Sequence, residues 1–440
     1  MQVKIIIALY FLTVLAVGIY SYFKVKTPED YYVSGKRAGL IPVSGSLLAT
    51  ILGGSAVLGT IELSQKIGWA ALWFLCSGSF GLFLLVPLTK YVKKYGNYTL
   101  PELLGTFYGK KAEIISSVII PVAWIGVIAV QIIAAAQVLG GLGFISYTNA
   151  AILSGVVFIL YTVAGGQISI LKTDVFQSVI IIAGLIILLA FSIKSGGLQS
   201  SQLFNFSSMF NSSFSLFDLI ILIFTYSVTF VVGPDIYSRV FCAKDETTAT
   251  RSIILVALIL IPVSFILTWL GIYSGNITNN GIISFAGNLL PDWAYGLFIA
   301  ALLSAVMSSA ATILLTSSMI LGEITTGSLN HKKALSYTHF YVIIIGAASI
   351  LIALFITSIV QTLLFALTVF SGAFVVPTLA GLLSLKVNNK RVVAAIIAGG
   401  VLALTGKIIH DFYHDFIGSC IILSTYVINA LFLFTGSRKQ

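Results

Sequence analysis

Charged side chains are scarce in this chain. Only 9% of its 440 residues are Asp, Glu, Lys or Arg, whereas 58% are hydrophobic and the mean hydropathy is +1.06. Soluble domains carry roughly 25% charged and about 45–50% apolar residues. The composition therefore excludes a soluble globular protein, a disordered chain and a nucleic-acid binder, and it predicts an integral membrane protein surrounded by lipid.

Cysteine and the motifs of catalysis are also nearly absent. The three cysteines, Cys76, Cys242 and Cys420, are far apart and form no C-x-x-C pair, so they indicate neither a disulfide framework nor a metal or redox site. The sequence contains no P-loop, no nucleophile elbow and no glycine-rich nucleotide loop. We therefore expect a protein that is not an enzyme. Any pumping would draw on an ion gradient, because the chain has no means of hydrolysing ATP.

Long apolar runs fill most of the sequence. A helix needs about 20 apolar residues to cross a bilayer, and we find thirteen such runs with mostly short connections. The first run is too long for a signal peptide and has no small-residue cleavage site after it. The thirteen predicted spans are about 5–23, 40–63, 68–88, 114–142, 149–165, 174–193, 216–238, 252–274, 294–323, 335–357, 361–385, 391–409 and 416–435.

Lys and Arg set the predicted orientation, because cytoplasmic loops are enriched in them. When loops alternate from an outside N-terminus, twenty of the 24 cations fall on the inner side, among them Lys24, Lys26, Arg239, Arg438 and Lys439. The net charge of +10 is largely this bias. We expect a multi-pass protein of the plasma (cell inner) membrane, with the N-terminus outside and the C-terminus cytoplasmic.

Two predicted spans contain helix-breaking residues. Gly53 and Gly54 lie in the middle of the second span, and Gly233 and Pro234 lie in the seventh. Glycine weakens a helix and proline removes a hydrogen bond, and transporters use broken helices at membrane depth to hold ions and substrates. Each break opens a set of five spans, and the two sets are oppositely oriented because five is odd. The pattern favours an inverted repeat over the ordinary frequency of Gly and Pro in membrane helices.

Polar groups within the spans are few. Ser308, Ser309 and Thr312 lie within about one turn on the ninth span, and hydroxyl oxygens suit Na⁺. Back-bonding to the preceding turn and close helix packing are the alternatives. Asp174 stands at the cytoplasmic start of the sixth span, near an edge where contact with water is easy. Because intramembrane carboxylates mark functional sites by default, an ion role for Asp174 stays open.

Four short motifs occur in order along residues 27–385. Residues 27–37 read TPEDYYVSGKR, residues 98–102 read YTLPE, and residues 161–177 combine a Gly-Gly pair with TDVFQ. Gly233-Pro234 is followed by Arg239 and by Ala243-Lys244. Together these motifs closely resemble those of the sodium:solute symporters, a family with sodium/proline, sodium/sugar and sodium/sialic acid members.

This resemblance implies an all-α membrane protein with a LeuT-like fold, in which ten core helices form a 5+5 inverted repeat with broken helices. Thirteen spans are closest in topology to the sodium/proline branch. We accordingly expect four segments. They are an extra N-terminal helix with a cytoplasmic loop over 1–39, the first repeat over 40–195, the second repeat over 216–385, and two C-terminal helices over 386–440.

The resemblance also implies where Na⁺ binds. The family's principal site takes carbonyl oxygens from the unwound first core helix, and one carbonyl and two hydroxyls from the eighth. The matching positions here are Ala49, Leu52, Ala305, Ser308 and Ser309. A second Na⁺ near Asp174 would need two further hydroxyls, where this chain has Ala311 and Thr312. Asp174 and Thr312 are therefore candidates for a second ion or for the ion exit route.

The solute is predicted from the differences between this chain and the sugar and sialic acid branches of the family. Polar positions of the sugar branch are apolar or glycine here, namely Ile51, Gly53, Ala56, Phe74 and Leu75. No arginine lies in the third core helix to clamp a sialic acid carboxylate. The remaining candidates for substrate binding are Gln131, Tyr226, Gly53 and Ser55, although Gln131 could instead make an interhelical hydrogen bond. They favour a small, modestly polar solute, either an amino acid or a monocarboxylate.

The leading interpretation is therefore secondary active transport: Na⁺-coupled symport of a small organic solute by alternating access, with no obligate protein partner. One alternative is a transporter-like membrane sensor that acts with a separate signalling partner. An intramembrane enzyme would need an acid/base pair or a nucleophile–histidine set, which the spans lack. Uptake into vesicles with and without Na⁺ separates the first interpretation from the other two.

Overall fold

The structure is a computed structural model, which describes residues 2–23, 25, 27–143, 145–196, 206–277 and 281–435. The regular elements in those residues are helices, so the expected all-α architecture is confirmed. In chain order the α-helices are α1 Gln2–Tyr22, α2 Pro28–Val33, α3 Leu40–Ile51, α4 Gly54–Ile67, α5 Leu72–Leu85, α6 Thr89–Tyr95, α7 Leu100–Tyr108, α8 Lys110–Gly141, α9 Tyr147–Lys194, α10 Leu216–Leu222, α11 Val228–Val232, α12 Pro234–Cys242, α13 Glu246–Ile277, α14 Gly281–Leu289, α15 Asp292–Thr326, α16 Ala334–Phe355, α17 Ile359–Leu382, α18 Val392–Phe412 and α19 Asp415–Phe434.

Ten helical stretches in the described part of the chain are long and apolar enough to cross a membrane. One of them runs through α4, α5 and α6, and the short apolar helix α3 stands apart from the ten. The stretches indicate a multi-pass membrane protein. The count of thirteen spans and the four segment boundaries stay predictions, since length and composition alone do not divide the longest stretches.

The longest helix, α9, is sharply bent. Its 48 residues would extend about 72 Å if straight. The hydroxyls of Tyr161 and Thr173 are only 2.5 Å apart, although twelve residues of straight helix rise by about 18 Å. The bend lies at Gly166, which has φ +59° and packs against the Tyr31 ring where a side chain would begin. α9 therefore consists of two arms that meet at the Gly-Gly pair of the sequence.

Both predicted helix breaks are present. α3 ends at Ile51 and α4 begins at Gly54, with extended backbone at Gly53 (φ −65°, ψ 176°). α11 ends at Val232 and α12 begins at Pro234, with extended backbone at Gly233 (φ −63°, ψ 128°). The second broken helix also contains a π-helical turn, Ile223–Ser227, just before α11.

The centre of the protein is α15. In its most apolar window 94% of residues are buried, against 33–67% in the other candidate spans. It packs against α9, α8, α16, α1 and α3. Small and hydroxyl side chains fill much of this helix, and they allow close approach of its neighbours. The serines singled out from the sequence thus lie in the interior, next to the first broken helix.

Two placements made from the sequence are wrong. Asp174 does not lie at a water-accessible edge, because its side chain is 1% exposed. Arg239 is not a loop cation, because its side chain is fully buried. Both errors have one cause: the bend of α9 and the short helix α12 turn these residues inward, which charge counting along the chain does not detect. Of the other nineteen inner cations, Lys24, Lys26, Arg438 and Lys439 lie outside the described residues.

Candidate functional site

The break after α3 leaves backbone oxygens beyond the helix's regular hydrogen bonds. The N–H of Leu52 donates to Leu48 O at 2.8 Å and closes the last turn of α3. The carbonyls from Ala49 onward therefore follow the last complete turn. Ala49 and Leu52 are fully buried, so their carbonyl oxygens need partners from the protein, water or an ion.

The two adjacent serines of α15 reach across to neighbouring helices. Ser309 Oγ donates to the carbonyl of Thr50 at 2.6 Å, and Ser308 Oγ donates to Asp174 Oδ1 at 2.6 Å. Back-bonding, the alternative considered for them, occurs further along the same helix, where Ser317 Oγ donates to Ile313 O at 2.8 Å. The fold thus brings the Ser309 hydroxyl to the α3 break and the Ser308 hydroxyl to Asp174 on α9, while Ala305 lies one turn earlier on α15.

A buried ion pair lies beside these serines. Arg239 Nη2 is 3.2 Å from Asp174 Oδ2, and Ser46 Oγ donates to the same oxygen at 2.5 Å. Arg239 also donates from Nε to Ser46 Oγ at 3.0 Å and from Nη1 to Ser238 Oγ at 2.9 Å. Its Nη2 further donates to the hydroxyls of Thr50, at 3.0 Å, and of Thr312. Charge-assisted bonds of this kind are the strong ones in a protein, and they join α3, α9, α12 and α15.

Sequence reasoning missed the role of Arg239. The residue appeared only as the end of a motif and as a loop cation. The position of Arg239 in the sequence could have indicated this role. It lies five residues after the Gly-Pro break, and so on the helix that continues from the break into the protein. Asp174 and Thr312, named together as ion candidates, are in fact joined through this guanidinium.

The predicted substrate residues surround a cavity of about 60 Å³, which has room for several water molecules. Gln131, Ser55 and Tyr226 line it. Gln131 Oε1 accepts from the N–H of Gly54 at 3.0 Å, and its Nε2 donates to Ser55 Oγ at 3.2 Å. The interhelical hydrogen bond considered for Gln131 therefore exists, and it fixes the amide at the wall of the cavity. Gly53 lies directly behind that wall.

Aromatic rings form another side of this cavity. The ring of Tyr226 stacks on Phe74 with centroids 4.4 Å apart and meets Phe230 edge to face at 5.0 Å. Tyr226 belongs to the π-helical turn, a feature often found at functional sites. Trp124 and Asp235 also line the cavity. Neither residue could be picked out from the sequence, because nothing in the sequence shows that α8 and α12 face each other here.

We expect Gly53→Ala to lower the transport rate by about tenfold or more. A methyl group at this position would overlap the side chain of Ser309, with Ser309 Cβ 2.9 Å away, and overpacking typically costs about 1–3 kcal/mol. The measurement is initial uptake per amount of inserted protein. Gly39→Ala is the matched control, because Gly39 precedes the same helix and a Cβ there meets nothing within 4 Å. Equal losses in both variants would contradict close packing at the break.

Comparison with known proteins gives consistent matches. A family model described as sodium:solute symporter family matches residues 31–399. The sodium/pantothenate symporter of Escherichia coli (strain K12) is 24% identical, over 91% of this chain and 90% of its own length. The sodium/proline symporter of Haemophilus influenzae is 24% identical, over 91% of this chain and 87% of its own length. These relatives are symporters, so the expectation of a protein that is not an enzyme is confirmed.

The fold has a close counterpart among solved structures. A Na⁺-coupled sialic acid symporter, in a substrate-bound outward-open state, superposes with a TM-score of 0.77 over 98% of both chains. Its sequence is 18% identical to this one, so the likeness concerns the fold. The LeuT-like architecture expected from the resemblance is thereby confirmed.

Proposed function

Because this chain belongs to the sodium:solute symporter family, it is a Na⁺-coupled symporter of a small solute, and we propose that its Na⁺ binds between the α3 break and α15. The proposed ligands are the carbonyls of Ala49, Leu52 and Ala305 and the hydroxyls of Ser308 and Ser309. The observation that carries this assignment is the direction of the serine hydroxyls, which reach across to the broken helix and its neighbours instead of bonding back to α15.

An ion in this position would couple the two repeats. It would tie the first broken helix to α15, and so favour the conformation in which these helices are close together. By reciprocal linkage, any solute that binds more tightly in that conformation must in turn strengthen Na⁺ binding. This linkage is the physical basis of the alternating-access symport that we propose.

For Asp174 and Thr312 we favour the ion exit route over a second Na⁺ site. The Arg239 guanidinium bonds to both residues and forms an ion pair with Asp174, so the Asp174 carboxylate has no charge left to offset a second cation. Ser308 would coordinate Na⁺ through an oxygen lone pair while it donates its hydrogen to Asp174, so the carboxylate is the next polar group that the ion would meet.

The proposed solute is small and modestly polar, an amino acid or a monocarboxylate, and it would occupy the cavity lined by Gln131, Ser55 and Tyr226. The test is uptake of labelled amino acids, monocarboxylates and pantothenate by the purified protein in proteoliposomes. We expect accumulation with an inward Na⁺ gradient and none when K⁺ replaces Na⁺. Accumulation driven equally well by a proton gradient without Na⁺ would contradict the proposed coupling ion.

We expect Tyr226→Ala to raise the KM for the solute by roughly three- to tenfold and to change Na⁺ activation less. The Tyr226 ring would contribute about 0.5–1.5 kcal/mol to the free energy of solute binding beyond the effect of its buried area. A loss of about 1.4 kcal/mol corresponds to a tenfold weaker affinity. Tyr226→Phe keeps the ring and is the control for the hydroxyl. An unchanged KM in Tyr226→Ala would remove this residue from the binding site.

The proposed setting is the plasma (cell inner) membrane, with the N-terminus outside and the C-terminus cytoplasmic. Its support is the distribution of Lys and Arg along the sequence. We propose the segments 1–39, 40–195, 216–385 and 386–440 as the N-terminal addition, the two repeats and the C-terminal pair. Symport as proposed needs only the solute, Na⁺ and the surrounding lipid, and no obligate protein partner.

A further inference from the structure

Asp235 places a carboxylate in the wall of the proposed solute cavity. It is the second residue of α12, directly after the Gly233 break, and it is half-buried. The cavity that it lines also contains Thr50, Ser55 and Gln131. A carboxylate inside a membrane-spanning bundle is costly and by default functional.

In the described part of the chain this carboxylate bonds to the backbone N–H groups of Asp235 and Ile236, and not to a cationic side chain. Among the ion pairs there, none includes Asp235, and the nearest cation along α12 is Arg239, one turn on. All three guanidinium nitrogens of Arg239 donate to other groups, and its charge is balanced by Asp174. An ionised Asp235 therefore gives the site one negative charge in excess.

The start of a helix offers a structural explanation for an acid in the first turn, because its N-terminus carries roughly +0.5 of an elementary charge. This stabilises Asp235 but does not cancel a full charge. An acid that served only as a helix start would also have no reason to face a cavity. The excess negative charge therefore favours binding of a cation that enters with the transported species.

The rest of the cavity distinguishes between an organic cation and a metal ion. Trp124, Tyr226 and Phe230 present aromatic groups to the same space as Asp235. Aromatic faces attract ammonium groups, whereas Na⁺ prefers the oxygen-rich position between the α3 break and α15. A carboxylate among aromatic rings is a combination suited to an ammonium group.

We propose that Asp235 binds a positively charged nitrogen of the solute, so that the transported compound is an ammonium-bearing one such as an amino acid. This inference rests on the proposed function and narrows it. A simple monocarboxylate would bring a second negative charge next to Asp235 and would be rejected by repulsion.

The experiment uses the full-length protein in proteoliposomes with an inward Na⁺ gradient. The probes are the common labelled L-amino acids, each beside its 2-hydroxy acid analogue, such as L-alanine with L-lactate. We expect accumulation of at least one amino acid and of no hydroxy acid. We expect Asp235→Asn to raise the KM for that amino acid at least tenfold, and Asp235→Glu, which keeps the charge, to raise it less.

Two further measurements separate this inference from its alternatives. Asp292→Asn is the matched control, because Asp292 also opens a helix, α15, but is exposed, and we expect it to leave the KM unchanged. Binding of ²²Na⁺ to purified Asp235→Asn should equal that of the wild type, which also shows that the variant is folded. Loss of ²²Na⁺ binding in this variant would make Asp235 an ion ligand and would overturn the inference.

The uptake results also distinguish the inference from the proposed function. A wild-type protein that accumulates no amino acid, or that takes up hydroxy acids equally well, contradicts the ammonium assignment. If that hydroxy acid uptake still requires Na⁺, the result supports Na⁺-coupled symport although the ammonium assignment is wrong. Conversely, amino acid uptake that depends on Asp235 but not on Na⁺ would support the ammonium site and contradict the coupling.

Discussion

Replacement of both Ser308 and Ser309 by alanine is expected to abolish Na⁺-coupled uptake, with at least a hundredfold rise in the Na⁺ concentration for half-maximal activation. Each serine would supply one oxygen to the ion. A hydrogen bond to a charged group contributes about 1.5–3 kcal/mol, and we take the same value for each hydroxyl ligand of the ion. Loss of one hydroxyl would then weaken the affinity for Na⁺ roughly ten- to hundredfold. The three carbonyl ligands remain, because side-chain substitution does not remove them.

The single and control variants define this prediction. Ser308→Ala and Ser309→Ala should each weaken Na⁺ activation about tenfold or more, while threonine at either position keeps the oxygen and should be tolerated. Ser317→Ala is the matched control, because Ser317 is buried in the same helix but bonds back to Ile313. The measurement is the Na⁺ dependence of uptake of the labelled solute that the wild-type protein accumulates. Wild-type activation in both single variants would show that the two serines serve packing alone.

Arg239→Gln is expected to destabilise the protein by about 3–5 kcal/mol, because it leaves the Asp174 carboxylate buried without its cation. Four helices meet at this pair, through Ser46 on α3, Asp174 on α9, Arg239 on α12 and Thr312 on α15. We therefore expect most of the variant to be lost during extraction in mild detergent. The measurement is the temperature at which half of the purified protein loses its monodisperse size-exclusion peak.

A double variant tests whether the unpaired charge causes the loss of stability. Asp174→Asn combined with Arg239→Gln removes both charges and should recover a large part of the lost stability, since no unpaired ion remains. Arg37→Gln is the exposed control, because Arg37 pairs with Asp30 at 3.7 Å with its own side chain 81% exposed. Pairs of that kind contribute about 0–1 kcal/mol. Normal thermal stability of Arg239→Gln would mean that the buried pair does not hold the four helices together.

The sequence alone predicts the local features of the fold. Gly53 and Gly233 break their helices because glycine and proline act on the backbone at their own positions, and the structure confirms both breaks. Apolar length likewise predicts helices without knowledge of their neighbours. The resemblance of four motifs then supplied the arrangement that periodicity could not, and the family match confirms it.

What the sequence could not predict depends on contacts between distant segments. Asp174 and Arg239 are 65 residues apart, and only the bend of α9 and the inward course of α12 make them partners. The π-helical turn that contains Tyr226 has no recognisable sequence pattern. Within this turn the backbone carbonyl of Phe224 accepts a hydrogen bond from the hydroxyl of Tyr426, a residue of the distant helix α19. Asp235 went unnoticed for the same reason, since its cavity exists only when α3, α8 and the second broken helix come together.

Equilibrium binding of ²²Na⁺ to the purified protein is the most direct test of a Na⁺ site between the α3 break and α15, because it needs no knowledge of the solute. The comparison is between wild type, the Ser308→Ala/Ser309→Ala double variant and the Ser317→Ala control. We predict saturable binding of equal affinity in wild type and control, and binding at least about a hundredfold weaker in the double variant. Wild-type affinity in the double variant would contradict a Na⁺ site between the α3 break and α15.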